Sequence, residues 1–426
     1  MNPSSLAGHI IELLEFLQTD SRPADRVIEL FFRSRRYLGA HDRREIAESV
    51  YGVLRHRRFL QTLIAAIRSD AVLSPAWLLA AFKLHIEKTS VQTFSALSLP
   101  LGGQEMAALA ALIPDLIAKT PGERHSMPDW LAAKLHEQMG AAECELLFSA
   151  LNELPPLSLR VNTLKTTREQ CLTELQKRGF ACASTPFAPE GIRLVKRANL
   201  FALDLFRAGW FELQDEGSQI ISLLLDPKPN WRVADVCAGG GGKTLHLAAL
   251  MKNRGEIFAS DSSAGRLENL RKRMRRSGAQ NVRVKDLSSR HRREQFAGKL
   301  DAVLIDAPCT GTGVLRRNPD AKWKITPAMV SEMSEKQKAI VRDYAALVKP
   351  GGRLVYATCS LLAEENEHVL QAFLRDHPDF HPGKAADILH RYRFEHFAEG
   401  NCIRLFPHRH GCDGFFAAVL QRKIGS

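Results

Sequence analysis

The chain has 426 residues, with 59 lysines and arginines against 47 acids and a formal net charge of +12. Hydrophobic residues make up 45% and charged residues 25%, a globular composition that excludes collagen-like, low-complexity and wholly disordered chains. No stretch approaches the roughly 18 apolar residues of a membrane span, and MNPSSLAGHIIELLEFLQTD carries acids within its apolar periodicity and no basic leader, so no signal peptide is expected.

From the first residue to about residue 140 the pattern is helical. Ile10, Leu13, Leu14 and Leu17 share one face, as do Val27, Leu30 and Phe31, and the run Glu45 to Leu63 continues in the same way. Leu154-Pro155-Pro156 makes a break. A small α/β segment follows, with strands at Leu157–Val161 and Gly191–Val195 around a helix at Thr167–Arg178. From Trp231 onward strands and helices alternate. The strands are Arg232–Cys237, Glu256–Ser260, Val282–Lys285, Ala302–Asp306 and Arg353–Thr358, which predicts an α/β fold with a mainly parallel sheet covered on both faces. Ile403–Phe406 and Phe415–Gln421 read as a final strand pair. No internal repeat is visible.

Eight cysteines stand without a C-x-x-C pair. That points away from disulfides and zinc and towards a reducing, cytoplasmic setting. No metal and no membrane partner are expected. The basic excess is concentrated: residues 266–293 hold 11 lysines and arginines with two acids, and residues 22–58 hold ten arginines with five acids. One such cluster reads as a solvated helix face, whereas two in different domains favour a nucleic-acid track. Leu267, Leu270 and Met274 lie at helical spacing, so the segment Arg266 to Arg276 is expected to bury that stripe and turn its arginines outward.

Cys237-Ala238-Gly239-Gly240-Gly241-Gly242-Lys243-Thr244 joins the first strand of the parallel sheet to a helix. Its glycines let backbone approach a ligand closely, with a helix N-terminus behind them. Two chemistries compete. A phosphate loop, G-x-x-x-x-G-K-[ST], matches except that Cys237 stands in its first place. An adenosine-type site in a doubly wound fold wants an acid at the end of the next strand for the ribose hydroxyls. Asp261 sits there, Asp286 ends the strand after it, and these successive strand-end acids put the nucleoside reading ahead. Two cysteines, Cys309 in Asp306-Ala307-Pro308-Cys309 and Cys359 in Thr358-Cys359-Ser360, end two further strands. Both should face the crevice of the glycine turn, because ligands in open α/β sheets bind outside the carboxyl ends of the strands. Alone, either would more often be a small buried hydrophobe.

DVCAGGGGKT, DAPCTGTGVLRRNPDAKW and GGRLVYATCSLLAEEN resemble motifs of the S-adenosylmethionine-dependent RNA cytosine-C5 methyltransferases, the Sun/Fmu (RsmB/NSUN-like) family. Arg160-Val161-Asn162, Leu213-Gln214-Asp215-Glu216-Gly217-Ser218 and Asp413-Gly414-Phe415-Phe416 extend the resemblance over roughly residues 155–422. RPADRVIELFFRSRR and DRREIAESVYGVLRHRR are similar, more weakly, to the NusB-like RNA-binding domain fused to the Sun/Fmu type. Gly240 stands where the family usually has Pro, and Cys412 where it has Gly or Thr. The resemblance implies a helical NusB-like domain over 1–143, an RRM-like α/β segment over 144–212 and a class I (Rossmann-like) methyltransferase domain over 213–426.

It further implies Cys359 as the nucleophile towards cytosine C6 and Cys309 as the helper in releasing the product. Asp306 would partner the base edge near N3 and also lie near the cofactor. Such a carboxyl, if it donates, needs the raised pKa that burial supplies. Cys237, Ala238, Gly239, Gly240, Gly241, Gly242 and Lys243 would hold the amino-acid end of S-adenosylmethionine, Asp261 its ribose and Asp286 its adenine region. The implied substrate is 16S rRNA, with tRNA, a non-catalytic RNA-binding or ribosome assembly factor and a phosphate-loop NTPase as alternatives.

Overall fold

A computed structural model describes residues 1–90, 94 and 97–425. Helices of seven or more residues are numbered below. The chain divides into two compact units, Met1–Leu154 with Leu315–Thr326, and Pro155–Val314 with Pro327–Ser426. Residues 143 and 212 are therefore not the borders of these units, and the small α/β segment clusters with the large sheet.

The first unit is helical: α1 (Pro3–Thr19), α2 (Ala24–Ser34), α3 (Ala40–Ala65), α4 (Pro75–Ala81), α5 (Gly103–Ala110), α6 (Asp129–Met139) and α7 (Ala141–Asn152). Helix α1 starts where Asn2 accepts a hydrogen bond from Ser5 N–H and Pro3 fills the first turn, a position where a missing N–H costs nothing. It buries Ile10, Leu13, Leu14 and Leu17. The early arginine cluster is largely consumed by local pairs: Arg26 and Arg33 with Glu29, Arg35 with Glu12, Arg44 with Glu48 and Arg58 with Asp129. Leu315–Thr326, the second half of the motif DAPCTGTGVLRRNPDAKW, is built into this unit. Asp320 accepts from Ala24 N–H at 2.8 Å, and Trp323 Nε1 donates to Leu54 O at 2.7 Å. Lys322 is buried, with its ammonium on Asn152 Oδ1 at 2.5 Å, and burial pulls its pKa down to about 7.

The second unit opens with β1 (Leu157–Val161), α8 (Arg168–Lys177), β2 (Cys182–Ser184), β3 (Gly191–Leu194) and β4 (Phe211–Leu213), an antiparallel sheet in the order β2-β3-β1-β4. Thr167 and Gln170 form the capping box of α8. The central strand β1 is covered on both faces. Leu159 and Val161 join the sheet's own core, and Arg160, on the other face, is 1% exposed with Nε on Gln214 Oε1 at 2.6 Å. That face is thus closed to the base stacking by which RNA-recognition sheets work.

Helix α9 (Glu216–Leu225) leads into β5 (Arg232–Asp235), α10 (Gly242–Leu250), β6 (Glu256–Ala259), α11 (Ala264–Ser277), β7 (Val282–Val284), β8 (Leu300–Asp306), α12 (Pro327–Ala345), β9 (Val348–Thr358), α13 (Glu367–Asp376), β10 (Phe380–Pro382), β11 (Ala398–Glu399), β12 (Cys402–Leu405) and β13 (Phe415–Arg422). The sheet order is β11-β12-β13-β9-β8-β5-β6-β7, with β10 beside β13. Strands β9, β8, β5, β6 and β7 are parallel, and β13 runs antiparallel to β9. Val233, Ala302 and Leu304 face one apolar core, and Ala234, Val303 and Ile305 face the other. That two-sided burial explains why these strands read as continuous apolar runs. From β5 the chain proceeds to β6 and β7 on one side and returns to β8 and β9 on the other. This reversal between β5 and β8 is where an open α/β sheet opens a crevice at its carboxyl edge. Among the described residues no helix is long and apolar enough to cross a membrane.

Candidate active site

The glycine turn leaves β5 at this reversal. Gly239 has φ of +54° and Gly241 φ of +86°, and a Cβ on Gly241 would lie 2.2 Å from Leu270 Cδ1, so a larger residue there must displace the Leu270 side chain of α11. A Cβ on Gly239 would meet nothing within 4 Å, which marks the open side of the cradle. Gly240 has no left-handed φ, so a proline, fixed near −65°, is not excluded there by φ sign. Its carbonyl is instead pinned by Arg273 Nη1 at 2.7 Å. The Cys237 side chain packs against the apolar core and burial pushes its thiol far above the ordinary range, so Cys237 can serve a ligand only through its backbone.

Asp261 at the end of β6 accepts from Gly239 N–H at 2.8 Å and from Ser263 N–H at 2.8 Å. It thereby shapes the turn. Lys243 donates to Asp306 Oδ2 at 2.7 Å and lies 5.4 Å from the Phe415 ring centroid. A residue expected at the cofactor's amino-acid end and one expected at the base edge thus form one ion pair. Asp286 sits beyond β7 with its side chain 54% exposed, accepting from Ser288 and paired with Arg292.

The deep burial expected at Asp306, whose side chain is 30% exposed, falls on Asp235. That residue is 1% exposed and accepts from Thr244 Oγ1 at 2.6 Å. Burial, opposed by the Thr244 hydrogen bond, pushes its pKa up to about 7 from 3.8. A carboxyl whose folded pKa is raised binds more protons in the folded state. Its contribution is therefore lost as pH rises from about 4 to about 7. Asp235→Asn keeps the acceptor for Thr244 and removes the charge. Its free energy of unfolding is expected to match the parent near pH 4 and exceed it at pH 8, by at most about 4 kcal/mol at 1.36 kcal/mol per pKa unit. A difference independent of pH contradicts this assignment.

The cysteines converge as the strand ends imply. Cys309 Sγ and Cys359 Sγ are 3.3 Å apart, both half-buried. Gly313 N–H donates to Cys359 O at 2.8 Å, and Gly414 N–H to Gly313 O at 2.9 Å. A Cβ on Gly313 would stand 2.3 Å from Gly414 O, so glycine at 313 is required by close backbone approach. The hydrogen bond to Cys359, then burial, pushes the Cys309 thiol well above its ordinary range. Cys309 is therefore held protonated at neutral pH. Cys412 is buried in the core and takes no part in this pair.

Other motif residues assemble the scaffold. Asp215 caps α9 and accepts from Gly217 N–H at 2.9 Å and Asp413 N–H at 3.1 Å. Asn162 Nδ2 donates to Gly209 O and Ser277 O, each at 2.8 Å. On α11, Leu270 is buried while Leu267 and Met274 pack beside it, but not all of the arginines turn outward. Arg273 and Arg276 both clamp Glu212, at 3.0 Å and 2.6 Å, and Arg276 stacks on Phe206. Arg266, Arg271, Lys272 and Arg275 are the exposed cations of that helix. Asp235 and Glu365 were not among the residues singled out from the sequence. Asp235 is an acid inside an apolar run, a signal that could have drawn attention to it, whereas Glu365 stands beside Glu364 and Glu367 with no such signal.

The family described as 16S rRNA methyltransferase RsmB/F matches residues 222–421, and a ferredoxin-like domain of RsmF/B-like methyltransferases matches residues 127–200. The chain is 32% identical over 413 residues to a probable ribosomal RNA small subunit methyltransferase B of Synechocystis, covering 90% of this chain and 92% of that one. The crystal structure of PH0851 is similar with a TM-score of 0.77 at 29% identity over 99% of both chains. A methyltransferase homolog protein from Pyrococcus horikoshii gives 0.60 at 32% identity, covering 71% of this chain and 97% of that one. The glycine turn is therefore that of a methyltransferase and not a phosphate loop, and the chain belongs to the RsmB/F family of 16S rRNA methyltransferases.

Proposed function

We propose that this protein methylates carbon 5 of a cytosine in 16S rRNA through a transient bond between Cys359 Sγ and carbon 6 of the base. The observation that carries the reading is the pair of thiols 3.3 Å apart at the carboxyl edge of the sheet, across the β5–β8 reversal from the glycine turn.

Carbon 5 of cytosine is a poor nucleophile. Addition of the Cys359 thiolate to carbon 6 makes it enamine-like, which is covalent catalysis of one hard step by two easier ones. S-adenosylmethionine, when bound, supplies a methyl group on a positively charged sulfur. After methylation a water molecule takes the proton from carbon 5, the C5=C6 bond re-forms and the C6–S bond breaks, returning the Cys359 thiolate. Cys309, held protonated beside it, donates a hydrogen bond to the departing Cys359 sulfur and so assists this elimination. Asp306, paired with Lys243, is placed to accept from the base edge.

The cradle suits the cofactor. The open side at Gly239 admits a ligand to the backbone of residues 237–242, Lys243 meets a carboxylate, and Asp261 retains lone pairs for ribose hydroxyls. Asp286 reaches the adenine region only if its pairing with Arg292 yields. The target cytosine must be unstacked to reach the thiol, so a loop or single-stranded site is the natural substrate. Exposed Arg266, Arg271, Lys272 and Arg275 attract the phosphate backbone, and the helical unit, whose sequence resembles a NusB-like domain only weakly, adds RNA-binding surface in a cytoplasmic setting.

Purified protein given labelled S-adenosylmethionine is expected to place 5-methylcytosine in 16S rRNA, free or in small-subunit particles, and not in tRNA. Label confined to tRNA would transfer the reading to tRNA. Label in another nucleoside, or no transfer to any RNA, would reject it.

A further inference from the structure

The two cysteines lie on separate loops, after β8 and after β9, yet their sulfurs touch. Cysteine side chains alone do not hold two loops in register. Gly313 N–H on Cys359 O and Leu361 N–H on Thr312 Oγ1, each at 2.8 Å, join the loops further along; next to the sulfurs the joining side chain is that of Glu365, on the short turn Ala363–Glu365 that follows Thr358-Cys359-Ser360.

Glu365 is fully buried. Its Oε1 accepts from Thr310 N–H at 2.9 Å and from Gln337 Nε2 at 3.0 Å, and its Oε2 accepts from the Thr310 hydroxyl and from Ser360 Oγ at 2.5 Å. Thr310 follows Cys309 and Ser360 follows Cys359, so one carboxylate binds the residue next to each sulfur. Gln337 on α12 also donates to Pro308 O at 2.9 Å, which fixes the other flank of Cys309. Among the described residues no lysine or arginine pairs with Glu365. A buried charge without a counter-ion is costly unless hydrogen bonds satisfy it. Here four neutral donors do so, and three of them belong to the two cysteine loops.

We infer that Glu365 is the positioning residue of the thiol pair: its carboxylate sets the distance between Cys309 and Cys359 through Thr310 and Ser360, and thereby the rate at which the covalent intermediate is resolved. The inference rests on the proposed roles of the two cysteines, so its test separates geometry from catalysis.

Glu365→Gln keeps the size of the side chain but replaces one acceptor oxygen with a donor that faces other donors. The first assay needs neither RNA nor cofactor; the Glu365 charge also raises the Cys309 thiol, so its loss alone would speed closure, and only a change in geometry slows it. Diamide takes two electrons and two protons from the thiol pair, forming the Cys309–Cys359 disulfide and a hydrazine, and the linked peptides are followed by mass. The second assay follows methyl transfer and survival of the RNA–protein adduct. Glu365→Gln is expected to slow disulfide closure at least tenfold. The adduct should persist at least tenfold longer and kcat fall to match, with KM for RNA and affinity for S-adenosylmethionine within twofold of the parent. General loosening of the fold would move KM and affinity as well.

If Glu365→Gln does not fold, Ser360→Ala and Thr310→Val carry the test, each expected to slow closure three- to tenfold. Closure within twofold of the parent in folded Glu365→Gln, or in both of the other variants, overturns the inference. Slowed closure in a protein whose methyl transfer survives Cys359→Ala overturns the catalytic reading of the cysteines and leaves the geometric role of Glu365 standing.

Discussion

Cys359→Ala is expected to lower methyl transfer by at least about a thousandfold, since it removes the group that activates carbon 5. It should trap no RNA. Cys309→Ala should behave in the opposite sense. Bond formation to carbon 6 and methylation proceed, elimination stalls, and a denaturant-resistant RNA–protein adduct accumulates. The asymmetry follows from the pair itself. Contact with Cys359, then burial, keeps the Cys309 thiol protonated, so Cys309 is poorly suited to attack and well suited to assist release. Gel mobility under denaturing conditions separates the variants. An adduct with Cys359→Ala and none with Cys309→Ala would invert the roles.

The second large effect is expected at Asp261. Its carboxylate accepts from Gly239 N–H and Ser263 N–H and stands where ribose hydroxyls are read in doubly wound folds. Hydrogen bonds to charged groups contribute roughly 1.5–3 kcal/mol each. Asp261→Ala loses the ribose contacts and releases the turn, so the Kd for S-adenosylmethionine should rise about a hundredfold, and Asp261→Asn should fall between. Asp286→Ala should change Kd only a few-fold, because that side chain is half exposed and already committed to Arg292. Equilibrium dialysis with labelled cofactor reads all three. An unchanged Kd for Asp261→Ala would remove Asp261 from the cofactor site.

The parallel sheet was legible because its central strands are buried on both faces and so carry unbroken apolar runs ending in Asp261, Asp306 and Cys359. The final pair came through as well, with Leu405 opposite Phe415 in the antiparallel register. Strands β2, β4 and β10 span three residues each, too few for a period to show. They exist because a distant partner completes their hydrogen bonds.

The candidate site was legible where its chemistry sits at strand ends and in the glycine turn. Three features were not. RRNPDAKW reads as a continuation of the cysteine motif, yet Leu315–Thr326 packs in the helical unit, and nothing in its composition marks that departure. Arg273 and Arg276 belong by spacing to an outward basic face, and Glu212, with the Gly240 carbonyl and the Phe206 ring, turns them inward. Glu365 looks like one more acid in a charged stretch. Its role depends on Thr310, which is 55 positions away in the chain.

The central claim, that Cys359 bonds to the target cytosine, is tested most directly with the parent protein. 16S rRNA carrying 5-fluorocytidine is supplied with S-adenosylmethionine. Fluorine replaces the proton that must leave carbon 5, so the final elimination cannot occur and the intermediate stays attached. Protease and nuclease digestion followed by mass analysis should find the peptide containing Cys359 joined to a methylated fluoropyrimidine nucleotide. Attachment at Cys309, or no attached nucleotide while ordinary 16S rRNA is methylated, would contradict the mechanism.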